Sequence, residues 1–217
     1  MADVFVDRDG VINRNRSDHV KTWSEFAFLP GSVEALVELS RAGHRIFVIT
    51  NQAIVNRGVV PTEMVSEINR RMVEEVARLG GIIQAVLVCP HVPEERCLCR
   101  KPLPGLLLQA RAAFGAVLEE AYAIGDFSTD LEAARAVGCV PILVLTGRGR
   151  QIYERMSRSE RQEYWVARDL RHAVKLIGTD GQRRSSRSVR GKQRYVRPST
   201  SSPAAGTSSA GSEAVSA

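Results

Sequence analysis

The sequence predicts an α/β fold, a parallel sheet with helices on both faces, from three observations. Short β-branched runs alternate with amphipathic stretches, as they do where parallel strands are joined by helical crossovers. Gly31, Gly43, Gly80, Gly115 and Gly138 stand at the ends of those stretches, where the chain needs to turn. Several apolar runs stop abruptly at residues able to do chemistry, and ligands of open α/β sheets gather at the carboxyl ends of the strands.

Taken in order, the candidate strands are Val4 to Val6, Arg45 to Thr50, Ala85 to Val88, Ala121 to Ile124 and Val140 to Leu145, with a short edge strand near Tyr164 to Val166. Candidate helices run from about Ser32 to Ala42, Pro61 to Leu79, Pro104 to Phe114, Asp130 to Val137 and Asp169 to Leu176. No internal repeat is visible. The chain has 217 residues, 44% apolar and 25% charged, enough for one good-sized core, and one domain over residues 1–177 is expected. No apolar run approaches the ~20 residues of a membrane span, and Met1-Ala2-Asp3 leads straight into a strand. Neither a membrane anchor nor a signal peptide is expected, and the protein is placed in the cytoplasm.

Net charge is +6, but residues 179–217 hold seven Lys and Arg against Asp180 and Glu213, which leaves the body nearly neutral. That tail, from 178 on, is basic and Ser-rich to Arg197 and then rich in Ser, Ala, Gly, Thr and Pro, so it is expected to be disordered. An Arg-rich segment can bind nucleic acid or an anionic surface. This one has Tyr195 as its only aromatic, and a solvated extension is the favoured reading.

Chemistry begins at Asp7-Arg8-Asp9-Gly10, directly after Val4-Phe5-Val6. The period of two puts Asp7 and Asp9 on one side of the strand's carboxyl end. Two like charges there resist ionising together unless a cation or an electrophile sits between them, so the pair asks for Mg²⁺ and a phosphoryl group. A plain turn is the competing reading. A calcium loop fits less well, because Gly10 stands where the third oxygen ligand would fall.

Ile46-Phe47-Val48-Ile49 ends in Thr50-Asn51-Gln52, where a hydroxyl can donate to a phosphoryl oxygen and Asn51 can fix the geometry beside it. Lys101, before a helix near Pro104, can place a point charge on phosphate or be a surface lysine. Ala123-Ile124-Gly125-Asp126 ends another strand, and Asp130 follows four residues later. Asp126 can bind Mg²⁺ directly, and Asp130 can orient its waters or simply cap a helix.

Cys89-Pro90-His91 is followed by Cys97-Leu98-Cys99. Three thiolates and one imidazole make a closed tetrahedral Zn²⁺ site with no position left for a reacting water, so its role is structural. A disulfide is disfavoured in a cytoplasmic chain. Cys139 reads as a small buried apolar residue.

The order of these signals, carboxylate pair, Thr, Lys and carboxylate pair at the ends of four strands, resembles the haloacid dehalogenase (HAD) superfamily of aspartate-nucleophile phosphatases over residues 3 to about 177. Asp-Arg-Asp-Gly, Thr-Asn-Gln, the Cys-x-His and Cys-x-Cys loop, and Cys-Arg-Lys-Pro together are similar to the D-glycero-D-manno-heptose 1,7-bisphosphate 7-phosphatase family. The histidinol-phosphate phosphatase domain is a close relative that shares all four. The resemblance implies a HAD-like Rossmannoid sheet and an aspartyl-phosphate intermediate. Asp7 would be the nucleophile and Asp9 the general acid and base, while Thr50 and Lys101 would stabilise the transferred group. Mg²⁺ would be held by Asp7, the backbone carbonyl of Asp9, and Asp126, with Asp130 behind it. No organic cofactor is implied.

Only 40 residues separate Asp9 from Thr50, and fifty more lead to Lys101, so no separate cap domain fits. Specificity must come from the flap near Asn15 to His19, the loop Gln52 to Gly58 and the zinc loop. Asn51, Gln52, Arg57 and Arg100 are the expected substrate-binding residues, for a small and multiply charged molecule such as a sugar bisphosphate. Arg100 should point away from its neighbour Lys101 and meet a second, non-reacting phosphate. Histidinol phosphate or another small phosphomonoester is the alternative substrate, and a phosphatase-like scaffold with a nucleic-acid-binding tail the non-enzyme alternative. A monomer is expected.

Three departures from the family pattern bear on substrate contacts. Ala53 and Ile54 replace a usual Ser-Gly, Phe127 follows Gly-Asp where Lys or a small polar residue is common, and the flap Asn15-Arg16-Ser17-Asp18-His19-Val20 lacks the usual Gly-Tyr-Val.

Overall fold

Val4, Phe5 and Val6 alternate between two faces of a strand, and both faces are covered. Val4 and Val6 pack with Leu36, Leu39, Ile68, Met72 and Val174, whereas Phe5 packs with Phe47, Leu106, Leu107, Ala110 and Ala133. The computed structural model describes residues 1–192, the segment 182–192 as backbone. Six parallel strands form one sheet: β1 Asp3–Val6, β2 Arg45–Asn51, β3 Ala85–Cys89, β4 Tyr122–Gly125, β5 Val140–Val144 and β6 Trp165–Ala167. Their order is β3-β2-β1-β4-β5-β6. Phe5 lies beside Phe47 of β2 on one side and Ala123 of β4 on the other.

This order makes the chain reverse direction between β1 and β4. A crevice opens at such a switch point, outside the carboxyl ends of the strands. Asp7 and Asp126 are the first residues past β1 and β4, so the topology alone brings the two acids to one place. Helices α1 Ser32–Arg41 and α2 Thr62–Arg78 contribute to the first face, with the start of α7, Leu170–Lys192. α3 Gly105–Phe114 and α4 Ser128–Arg135 cover the second.

Helix α4 begins at Ser128, with Phe127 as its N-cap, so Asp130 is not the cap residue of the competing reading. It is the third helical residue, and its Oδ2 accepts the Phe127 N–H at 3.1 Å. Two short helices, α5 Gly149–Arg155 and α6 Arg158–Glu163, lie where no element was expected. They are largely polar, so apolar periodicity could not reveal them. Ser157 and Glu160 of α6 do form a capping pair, Glu160 N–H donating to Ser157 Oγ at 3.2 Å and Ser157 N–H to Glu160 Oε2 at 2.7 Å, and Ser-x-x-Glu is a readable signature.

The other difference is at the tail. Helix α7 continues to Lys192, past the expected end at Leu176, so residues 178–192 are helical where the sequence reading expects disorder. Apolar periodicity stops at Ile177, but the Arg and Gln that follow are good helix formers. The chain divides into units 1–182 and 183–217, a boundary a few residues beyond 177. Residues 193–217, on which the rest of the disorder expectation falls, lie outside the described residues. Among the described residues no helix is long and apolar enough to cross a membrane.

Candidate active site

Lys101 is the centre of the site. Its side chain is almost fully buried, and Nζ lies 2.6 Å from Asp7 Oδ1, 2.6 Å from Asp130 Oδ1 and 3.0 Å from the Ile49 carbonyl. The surface-lysine alternative is therefore wrong. Burial opposes its charge, but attraction to Asp130 and Asp7 outweighs burial and holds its pKa above the usual lysine value. Asn51 fixes the segment from β2, donating Nδ2–H to the Lys101 carbonyl at 3.1 Å and accepting the Lys101 N–H at 3.2 Å. The Lys101–Pro102 peptide bond is cis.

Asp7, Asp126 and Asp130 offer carboxylate oxygens that all lie within 4.8 Å of one another. One lysine cannot balance three carboxylates. Burial is the main force raising the Asp7 carboxyl well above the usual range; Lys101 counters it, and Asp130, Asp126 and Asp9 add to it. Burial likewise pushes Asp126 up to about 6, against the opposing hydrogen bond from Arg148 N–H, with Asp130 adding to the rise. Buried acids crowded in this way fit a hard divalent cation with oxygen ligands, and Mg²⁺ prefers carboxylates and water. The backbone leaves them room. Gly10, at φ +94, approaches Asp126 so closely that a Cβ there would lie 2.1 Å from Oδ2, and one on Gly147 would lie 2.0 Å from it.

Asp9 points elsewhere. Its carboxylate accepts from Arg8 Nη2 at 2.8 Å, Asn13 Nδ2 at 2.9 Å and Gln52 Nε2 at 2.7 Å. Burial raises its pKa, but the Arg8 charge and these hydrogen bonds win and hold it below the usual value. Its side chain is outside the acid cluster, and the metal contact expected of this residue was assigned to its backbone carbonyl. Gln52 needs correction: it is buried and does not line the cleft. Its amide joins Asp9 to Thr50, whose Oγ1 it meets at 2.8 Å, so it positions these two instead of reaching a ligand. Its side chain returns to the protein because an amide buried beside Asp9 and Thr50 finds partners there.

The cleft holds about 330 Å³ and is lined by Asp7, Asp9, Thr50, Asn51 and Lys101 at its floor, with His19, Arg57, Arg100 and Arg148 among its other residues. Arg100 also donates Nη1–H to the His91 carbonyl at 3.2 Å, which ties it to the cysteine loop. His19, in the flap, has its pKa lowered by partial burial and by the charges of Arg57 and Arg148, against the pull of Asp9 and Asp18.

In that loop, Cys89 Sγ lies 3.6 Å from His91 Nδ1 and 3.6 Å from Cys97 Sγ, while Cys99 Sγ lies 3.2 Å from His91 Nδ1 and 3.5 Å from Cys97 Sγ. Tetrahedral zinc with Zn–S bonds of ~2.3 Å sets S···S edges of ~3.8 Å, so the donor set and its size both fit. No disulfide joins these residues. Burial, then hydrogen bonding to Cys89 and Cys97, pushes the Cys99 thiol up to about 12, a cost that a bound cation removes. Cys139 is buried, as expected.

Four residues near this centre carry weight that the sequence reading did not give them. Arg8, fully buried, links Asp9 to Asn69 of α2 through Nη1 at 2.9 Å. A charged residue between two acids at the end of an apolar strand is a readable signal for it. Asn69, one polar residue on a helix, gave none. Thr146 donates Oγ1–H to the Gly10 carbonyl at 2.7 Å, and Arg148 N–H donates to Asp126 Oδ2 at 2.8 Å. Both follow the end of β5, a fifth strand end open to the same argument as the other four.

A parallel sheet that gathers an aspartate, a threonine, a lysine and two further acids at its switch point defines a HAD-like hydrolase, and a family model described as HAD-hydrolase-like matches residues 98–173. D-glycero-beta-D-manno-heptose-1,7-bisphosphate 7-phosphatase of Pseudomonas aeruginosa is 43% identical over 146 residues, 67% of this chain and 82% of that protein. The protein of Mycobacterium bovis named for the alpha anomer is 40% identical over 136 residues, 62% of this chain and 72% of its own. The crystal structure of D,D-heptose 1,7-bisphosphate phosphatase from B. bronchiseptica, complexed with magnesium and phosphate, aligns with TM-score 0.78 at 34% identity, covering 83% of this chain and 99% of that one. This chain belongs to the heptose-1,7-bisphosphate 7-phosphatase family of HAD-like hydrolases and is a phosphatase.

Proposed function

We propose that the enzyme removes the 7-phosphate of D-glycero-D-manno-heptose 1,7-bisphosphate, a step in building nucleotide-activated heptose, through an aspartyl-phosphate on Asp7. The observation that carries this reading is the contrast within one cleft: an acidic floor around Lys101, and the cationic side chains of Arg57, Arg100 and Arg148 around it. A monophosphate needs fewer cations than this. Histidinol phosphate carries positive charge at its far end and fits such a lining poorly.

In this reading Lys101 holds Asp7 Oδ1, which leaves Oδ2 to attack phosphorus. The bond from phosphorus to the sugar oxygen breaks, and Asp9 passes to that oxygen a proton that the substrate brings in as its phosphate monoanion. Asp9 then takes a proton from the water that attacks the aspartyl-phosphate, which frees Asp7 and releases inorganic phosphate. The hydrogen bonds from Arg8, Asn13 and Gln52 keep Asp9 oriented until the substrate's oxygen arrives. Thr50 and Lys101 donate to the phosphoryl oxygens. Mg²⁺, held by Asp7, the Asp9 carbonyl and Asp126 with Asp130 behind them, would neutralise the phosphoryl charge and relieve the crowding of acids. Zn²⁺ on Cys89, His91, Cys97 and Cys99 would fix the loop that ends at Arg100 and Lys101. Asn51, Arg57 and Arg100 complete the set of residues assigned to the substrate.

A phosphate-release screen over both anomers of the heptose bisphosphate, other sugar phosphates and histidinol phosphate tests the reading. A heptose bisphosphate anomer should lead by kcat/KM; histidinol phosphate in the lead would overturn it.

A further inference from the structure

Phosphoryl chemistry accounts for the floor of the cleft, but one lining cation has no part in it. Arg148 stands three residues beyond Leu145, past the carboxyl end of β5. Its backbone is fixed: its N–H donates to Asp126 Oδ2 at 2.8 Å, and Gly147 before it packs against the same oxygen. Its guanidinium lies over the Phe127 ring, 5.0 Å from the centroid, and both residues line the cleft. A guanidinium held over a ring by its charge can still direct its N–H donors to a phosphate. Among the described residues no carboxylate pairs with those donors and no acceptor meets them. The contact with Phe127 restricts the side chain without using its hydrogen bonds, so less freedom is lost when a ligand arrives.

The placement says what the donors are for. Lys101 and Thr50 serve the phosphoryl group above Asp7, whereas the Arg148 side chain lines the cleft together with His19 of the flap and Arg57. In the sheet, β3 and β5 flank the β1–β4 switch point from opposite sides. The cysteine loop with Arg100 follows β3, and Arg148 follows β5. A substrate seated over Asp7 thus meets one guanidinium from each side.

We propose that Arg148, braced on the Phe127 ring, is a specificity-determining residue that grips the non-reacting phosphate from the β5 side of the cleft, facing Arg100 across it. This rests on the bisphosphate reading above and adds to it a residue and a geometry. Phe127 supplies a platform and no charge; the cation comes from another strand end.

The test measures kcat and KM of wild type, Arg148→Gln, Arg148→Lys and Phe127→Leu on heptose 1,7-bisphosphate and on heptose 7-phosphate, which share the reacting group. Melting temperatures are recorded alongside. Arg148→Gln should lower the bisphosphate-to-monophosphate ratio of kcat/KM about tenfold, mostly through KM, as expected for one exposed charge-assisted contact. Arg148→Lys should recover only part of the ratio, because an ammonium has no planar fork. Phe127→Leu should lower it less than Arg148→Gln does. A ratio left at the wild-type value in Arg148→Gln overturns the inference alone, as does an equal loss on both substrates. A wild-type enzyme with no preference for the bisphosphate overturns the functional reading and the inference with it.

Discussion

Replacing Lys101 by methionine removes the one protein cation in contact with the acid cluster while keeping most of the side-chain volume. The lysine, 3% exposed, bridges Asp7 and Asp130 side chains that are 10% and 6% exposed. Truncating one partner of a buried charge pair costs about 3–5 kcal/mol, because the remaining charges stay buried and unpaired. For a chain of this size that corresponds to a drop of about 6–20 °C in Tm at pH 7.5 with chelator present. The loss should depend on pH. Burial has raised Asp126 to about 6, above its unfolded value near ~3.9, so the folded protein binds this proton more tightly. That contribution to stability is present below about pH 4 and is lost as pH rises through about 6. Without Lys101 the acids are driven further in the same direction, so the gap between variant and wild type should be widest at pH 7.5 and narrow at pH 5. Added Mg²⁺ should narrow it as well. Urea melts of both proteins at the two pH values, with and without Mg²⁺, measure this. A gap below about 1 kcal/mol, or one equal at both pH values, would refute the idea that Lys101 holds the cluster together.

Three further outcomes follow from the same geometry. Asp9→Asn should slow sugar phosphates far more than an aryl phosphate, since a good leaving group needs no proton; equal losses on both would remove Asp9 from that role. Gly10→Ala should reduce Mg²⁺-dependent turnover at least tenfold, because the position has φ +94 and a Cβ would lie 2.1 Å from Asp126 Oδ2; an unaffected variant would show that the turn has room to adjust. Cys99→Ala should lower bound zinc by metal analysis, lower Tm and raise KM together, since it frees the segment ending at Arg100 and Lys101. Wild type that contains no zinc when purified without chelator would end the zinc assignment.

Much of this site could be read in the sequence because its residues sit at strand ends, where period-two burial stops and polarity starts. Asp7 and Asp126 each follow an apolar strand directly and Thr50 is the next-to-last residue of another, and the parallel sheet that converges them follows from alternating strands and helices. The cysteine loop was legible for a different reason: three thiolates and an imidazole within eleven residues have few other uses. Legibility ended where a partner is distant and leaves no local trace. Nothing near Asn69 announces that it meets Arg8 across 61 positions, and nothing in Gln52 says that its amide turns inward to Asp9. Arg148 leaves no such trace, because Thr-Gly-Arg after β5 resembles a turn until the fold brings it against Asp126. The helices α5 and α6 and the extension of α7 are not legible because polar helices carry no apolar stripe.

If Asp7 accepts the 7-phosphoryl group of a heptose bisphosphate, phosphorus NMR of the reaction with Mg²⁺, run with wild type and with Asp7→Asn, shows it. The predicted spectrum for wild type shows inorganic phosphate rising as the 7-phosphate signal falls and the 1-phosphate signal stays, with no change for Asp7→Asn. Loss of the 1-phosphate, or turnover that survives in Asp7→Asn, would contradict the account.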